Sequence, residues 1–223
     1  MPRSKKKKPV VVRKDTSIKA KRTARVKRET KKVSKEGMYK GIPYESMGEY
    51  YFLCYCYELI DAGYMRSVNR SDSYMLLQGL THEYSTLSKR GSSSIHKSQC
   101  FLRPVSYTPD FICVWNKKAL GRFIWVMGDN SKCSSPFICH KTEDGDNFSL
   151  VECKPDYDFN NKTQYFVLNQ KLMWDKHKLF VNLEQTSKFF AATFTPREFL
   201  FTMDGKPRKL KYEPRTLNEY LQL

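Results

Sequence analysis

Glu152 and Lys154 stand two residues apart at the end of the run Phe148-Ser149-Leu150-Val151-Glu152-Cys153-Lys154-Pro155. Side chains on a strand alternate between faces, so this acid and base point the same way and Cys153 points the opposite way. Charges at the end of an otherwise apolar strand are costly unless something pairs or binds them. A second acid, Asp110, follows Thr108-Pro109 and precedes the apolar residues Phe111, Ile112, Val114 and Trp115. A third, Glu49, lies near the start of a helical pattern, with Glu45 as its rival one turn earlier. Carboxylates brought together raise one another's pKa. A hard divalent cation relieves that repulsion, and Mg²⁺ characteristically takes one or two carboxylates, leaving other positions to water and phosphate oxygens. Such a cation polarises a phosphoryl oxygen and acidifies water, and a lysine can stabilise the charge that develops. The chemistry these residues suit is phosphodiester hydrolysis with Mg²⁺, for which Mn²⁺ would substitute. Taken singly, Glu152 and Lys154 also read as a strand-end ion pair, worth about 0–1 kcal/mol. Asp110 alone also reads as a turn or cap acid after Pro109.

Several elements must position these side chains. Tyr44 to Ala62 has helical periodicity, with Leu53, Tyr57 and Ile60 on one face and Gly63 as its stop. Tyr74 to Tyr84 reads as a strand, and Ser85 to Ser98 as a polar loop. Cys100 to Trp115 reads as a strand interrupted at Pro104 and Pro109, since proline cannot donate to a ladder. Residues 116–147 form an inserted excursion with strands near Phe123–Met127 and Phe137–Cys139. Thr163 to Lys178 fits a helix whose later turns are basic, making Lys171 and Lys176 candidates for nucleic-acid contact. Strands are expected at Leu179–Leu183 and Phe189–Phe194. A C-terminal hairpin is expected over Phe199–Tyr212, turning at Asp204-Gly205 with a basic second arm, then a short helix over Arg215–Leu221. Tyr107, beside Asp110, is the tyrosine placed to meet a base or sugar.

Charge is divided unevenly along the 223 residues, whose formal net charge is +17. Residues 1–36 hold 16 Lys/Arg and 3 Asp/Glu, leaving 24 basic and 20 acidic residues for the remainder. The first stretch has few large apolar residues and is expected to be a disordered tail. Lys5, Lys6, Lys7, Lys8, Lys21, Arg22, Arg25, Lys27 and Arg28 would bind a polyanion there by releasing counterions, without reading sequence. With 14 Tyr and 14 Phe, the remainder can build a core. No apolar run is long enough to cross a membrane, and no secretory leader is visible. The seven cysteines are odd in number and irregularly spaced, which argues for free thiols in a reducing, cytoplasmic setting. Cys133, Cys139 and His140 lack the second pair a structural zinc would need, and nothing in the chain calls for a small-molecule cofactor.

The order Ser46-x-x-Glu49 on a helix, Thr108-Pro109-Asp110-Phe111, then Glu152-x-Lys154 followed by a helix resembles the PD-(D/E)xK nuclease superfamily. More closely, it is similar to small phage endonucleases of the junction-resolving endonuclease I type. The likeness spans Pro43 to Leu183. It implies an α/β fold with a restriction-endonuclease-like core: a mixed sheet of about five strands flanked by helices in α-β-β-β-α-β order. The division implied is a tail over 1–36, a nuclease core over 37–194 and an extension over 195–223. The resemblance also implies metal ligation by Asp110, Glu152 and the Cys153 carbonyl, with Glu49 binding metal or a metal-bound water and Lys154 as catalytic lysine. The expected activity is a metal-dependent endodeoxyribonuclease, phage-encoded and working in the host cytoplasm, with branched DNA as a candidate substrate and a homodimer as its form. The rival expectation is a non-catalytic, basic DNA- or RNA-binding accessory protein on the same fold.

Overall fold

The computed structural model describes residues 36–88, 91, 93–128, 135–156, 162–202 and 204–222. The tail, with every candidate from Lys5 to Arg28, lies outside them, as does Cys133. The described chain opens with a small hairpin, β1 (Gly37–Tyr39) and β2 (Ile42–Tyr44). It turns through Lys40 and Gly41, both at positive φ. Helix α1 (Met47–Asp61) starts later than its periodicity suggests because Ser46 caps it: the Ser46 hydroxyl accepts from the Glu49 N–H at 3.2 Å. It stops where Gly63 takes φ +75°. The Gly63 and Tyr64 amides then donate back to Ile60 and Leu59 at 2.9 and 2.8 Å, closing the last carbonyls.

After α1 come β3 (Met65–Arg70), β4 (Tyr74–Leu77), β5 (Leu80–Leu87), β6 (Ser94–Leu102), β7 (Val105–Tyr107) and β8 (Phe111–Trp115). A 3-10 turn at Lys117–Ala119 leads to β9 (Ile124–Val126), β10 (Phe137–Lys141) and β11 (Asn147–Lys154). Helix α2 (Lys162–His177), β12 (Val181–Gln185) and α3 (Thr186–Ala192) follow. The chain ends with a 3-10 turn at Arg197–Leu200 and α4 (Leu217–Leu221).

The main sheet has six strands, in the order β3-β8-β11-β10-β9, with β12 also on β11. β3, β8 and β11 run antiparallel to one another, and β12 runs parallel to β11. The α1, three antiparallel strands, α2, parallel strand order is therefore present within a mixed α/β sheet. The inserted excursion adds β9 and β10 to this sheet, which is why it exceeds five strands. β10 and β12 share one edge of β11. The Asn182 side chain closes the gap between them, donating to the Ile138 and Leu150 carbonyls and accepting from the Ile138 N–H, all at 2.9–3.0 Å.

Four sequence expectations need correcting. The first sheet strand is β3, not Tyr74–Tyr84; a bulge between Met65 and Ser67 breaks the alternation that would have marked it. Tyr74–Tyr84 is split between β4, which pairs with β7, and β5, which pairs with β6 as a separate ribbon. The expected loop over Ser85–Ser98 is the far part of that ribbon. Its strands are exposed on both faces, so no hydrophobic period betrays them. Phe189–Phe194 is mostly α3, because Phe190 and Phe194 stack on Tyr55, with ring centroids at 5.8 and 4.2 Å. Packing on α1 overrides strand propensity there. The hairpin expected over Phe199–Tyr212 is reduced to the 3-10 turn and one bridge, Phe201 to Pro207, although the turn at Gly205 is present.

Two cores flank the sheet. On one face α1 and α3 cover Phe111, Cys113, Val151 and Cys153 with an aromatic cluster including Phe52 and Tyr55. On the other, Leu150 and Val181 pack with Phe166 and Met173 of α2 and with Tyr107. Alternation along β11 therefore places Glu152 and Lys154 on the α2 face and Cys153 on the α1 face.

Candidate active site

The antiparallel ladder between β8 and β11 ends at Phe111 and Val151. Asp110 sits one residue before that pair and Glu152 one after it, so both acids reach the same end of the sheet. The Asp110 carboxylate accepts from the Cys153 N–H at 2.7 Å, in contact with the backbone that links Glu152 to Lys154. Lys154 Nζ donates to Glu152 Oε1, and the Tyr107 hydroxyl donates to Glu152 Oε2 at 2.9 Å. Tyr107 is buried, so it serves the acid and is not presented to a base or sugar. Burial first, and then the Glu152 charge, push the Asp110 carboxyl up to about 7, while the Cys153 amide partly offsets this. Burial also raises the Tyr107 hydroxyl, with Glu152 beside it acting in the same sense.

Glu49 approaches from α1. Its carboxylate accepts from the Ser46 hydroxyl at 2.9 Å, the Glu45 N–H at 3.0 Å and Arg70 Nη1 at 2.7 Å. It is buried and belongs to the same electrostatic cluster as Asp110. Glu45 is exposed and only 3.8 Å from Arg70 Nη2, so Glu49 is the inward acid of the helix. Both Glu49 oxygens are engaged, as are both Glu152 oxygens by Lys154 and Tyr107, so a cation would have to displace a donor to reach either acid directly. Arg70 rests over the Phe111 ring at 5.1 Å, which ties the end of β3 to the start of β8.

Asp110 and Glu152 suit a hard divalent cation, because a half-buried and a buried carboxylate feel one another's charge and only Glu152 is paired with Lys154. Among the described residues no group of three or more His, Cys, Asp or Glu side chains gathers round one point. A cation here would take one or two carboxylates and complete its shell with water and phosphate, which is the habit of Mg²⁺.

Arg70, Tyr107 as a partner of Glu152, and Glu184 were not singled out from sequence. Glu184 faces Cys153 across the parallel pair, on the α1 side beneath the site. It is 1% exposed, and among the described residues only the Cys153 thiol and the Thr186 hydroxyl approach its oxygens, neither in good hydrogen-bond geometry. Burial holds its carboxyl well above the ordinary range; the nearby Cys153 thiol and Thr186 hydroxyl offset this only in part. Lys171 and Lys176 are exposed on α2. That helix runs back toward the start of β12, and Lys178 just beyond it shares a cavity with Asn147 at the start of β11. These lysines thus lie toward the other end of the sheet from Glu152. The six described cysteines are free thiols, and among the described residues no helix is long and apolar enough to cross a membrane.

No known protein family, curated protein or solved structure matches this chain.

Proposed function

We propose that this chain is a metal-dependent endodeoxyribonuclease built on a restriction-endonuclease-like core of the PD-(D/E)xK type. The observation that carries the reading is the meeting of Asp110, Glu152 and Lys154 at one end of the sheet, with Cys153 N–H bonded to Asp110 and Lys154 bonded to Glu152. The strand order supports it, since helix acid, Asp strand, Glu-x-Lys strand, helix and parallel strand follow the sequence expected from the resemblance.

A divalent cation held by Asp110 and Glu152, with the Cys153 carbonyl as a further donor, would polarise a phosphoryl oxygen and acidify a water. The protein's own groups do the positioning. The Cys153 amide fixes Asp110 and the Tyr107 hydroxyl fixes one oxygen of Glu152, so a cation would have Lys154 to displace from the other. Lys154 holds its ammonium at the rim, with its side chain 22% exposed, where it can meet negative charge developing on a phosphate. Glu49, fixed by Ser46 and Arg70, closes the helix side of the site.

The test is cleavage of a labelled four-way junction, a linear duplex and a single strand in Mg²⁺, Mn²⁺ or EDTA, by wild type and Glu152→Ala. Metal-dependent nicking lost in the variant is the expected result, and the preferred substrate then decides whether branched DNA is the target. Tight binding with no cleavage in any metal assigns the chain to the accessory-protein class instead.

A further inference from the structure

The surface beside the acidic site carries the opposite sign. β11 and β12 end together, with Lys154 opposite Gln185. The chain leaves β11 through Asp156 and enters α3 from β12 through Ser187 and Lys188. The segment after the Arg197–Leu200 turn folds back over this corner, leaving a cleft of about 390 Å³ lined by Lys188, Phe199, Arg208, Lys209, Lys211 and Tyr212, among others. Asp156 is the acid in this lining, and its Oδ1 accepts from the Ser187 N–H at 3.1 Å.

The cations of the cleft have two different jobs. Arg208 fastens the wall. Its guanidinium donates to the Tyr51 hydroxyl at 2.7 Å and the Phe199 carbonyl at 2.9 Å, and it lies over the Phe199 ring at 4.5 Å. Beyond it the chain alternates: Leu210 and Tyr212 pack against the core, while Lys209 and Lys211 are exposed. Neither lysine forms an ion pair within 4 Å among the described residues. Lys188 is also exposed and, among the described residues, donates to the neutral Gln185 amide oxygen at 2.8 Å and forms no ion pair within 4 Å.

We propose that this cleft binds the phosphodiester backbone of DNA next to the scissile bond, with Lys188, Lys209 and Lys211 contacting phosphates and Arg208 holding the wall in place. The proposal rests on the nuclease reading of the neighbouring site. An acidic centre repels a polyanion, and attraction from an adjoining basic surface must outweigh that repulsion. The cleft lies at the end of the sheet where β11 and β12 finish, on its α1 face, whereas Glu152 and Lys154 project from the α2 face, so a backbone engaged in it reaches the carboxylates round the end of the sheet.

The experiment uses the full chain and a labelled linear duplex in EDTA, with affinity measured from about 50 to about 200 mM NaCl for wild type and Lys188→Ala/Lys209→Ala/Lys211→Ala. Losing three phosphate contacts should lower the salt slope by about 2.7, so the wild-type advantage shrinks roughly forty-fold across that range. Lys117→Ala/Lys141→Ala, at the far end of the sheet, should leave the slope unchanged. A wild-type slope in the triple variant, or an equal drop in the far-end variant, overturns the proposal. If the triple variant melts early, Lys209→Ala/Lys211→Ala is compared with Lys209→Arg/Lys211→Arg: only the alanine pair should lower the slope, and equal slopes overturn the idea. Metal-dependent cleavage by wild type with an unchanged slope in the triple variant would refute the cleft and leave the nuclease standing. A lowered slope with no cleavage in any metal would do the reverse.

Discussion

At its start, β11 sets Asn147 beside a wide basic cavity lined by Lys117, Lys141 and Lys178, and the neighbouring Asp146 pairs with Arg66 in the open. At its finish, the same strand sets Glu152 and Lys154 against Asp110 with little water around them. The Arg66 and Asp146 side chains are 53% and 40% exposed, whereas those of Lys154 and Glu152 are 22% and 8% exposed. An exposed pair costs little to form and contributes little. A buried cluster with more acids than cations loses hydration that its own contacts do not restore. Such an arrangement persists when the site has work to do, and that is the physical reason for reading the finish of β11, and not its start, as the chemical end.

The comparison can be broken most sharply by Glu152→Gln. It keeps the shape of the side chain and removes its charge, and should cut metal-dependent cleavage at least about 10³-fold in single-turnover assays. Retained cleavage would make the two ends of β11 equivalent. Lys154→Ala should reduce cleavage by about 10²- to 10³-fold while Mn²⁺ binding survives. Loss of metal binding in step with cleavage would mark the lysine as a structural partner of Glu152.

Stability gives a smaller and independent effect. The Asp110 pKa is raised in the folded protein from an ordinary value of 3.8 to about 7. Between those values the unfolded chain ionises this group while the folded chain resists. The metal-free protein should therefore lose stability as pH rises from about 4 to about 7, by at most about 4 kcal/mol from this residue. Glu184 acts in the same sense. Asp110→Asn should flatten that slope in urea titrations and raise the midpoint at pH 8; an unchanged slope would mean that Asp110 is not under charge strain. Smallest of all, Arg66→Ala should leave both cleavage and the thermal midpoint within error, and a marked loss of either would show that exposure does not separate the two ends.

The legible parts of this protein were those whose pattern reports a single environment. The β11 sequence alternates apolar and charged residues against a covered sheet, so the shared face of Glu152 and Lys154 could be read directly. Helix α1 carries its own cap in Ser46 and its own stop in Gly63. β3 was hidden because its bulge breaks the two-residue period, and with it went Arg70, the partner of Glu49. The β5–β6 ribbon was hidden because neither face is covered, so its Ser, Thr and His residues look like loop. Glu184 could not be recognised as a buried acid from its neighbours in sequence, since its burial comes from Cys153 on the adjacent strand and from α3 beyond it.

The most direct measurement is calorimetric titration of Mn²⁺ into the full-length protein and its Glu152→Gln variant at pH 8 and pH 6. The account predicts binding by wild type at pH 8, weakened at least about tenfold by the substitution, and weakened again at pH 6, where protons compete for Asp110. Equal binding by both proteins, or no binding by wild type at either pH, would contradict it.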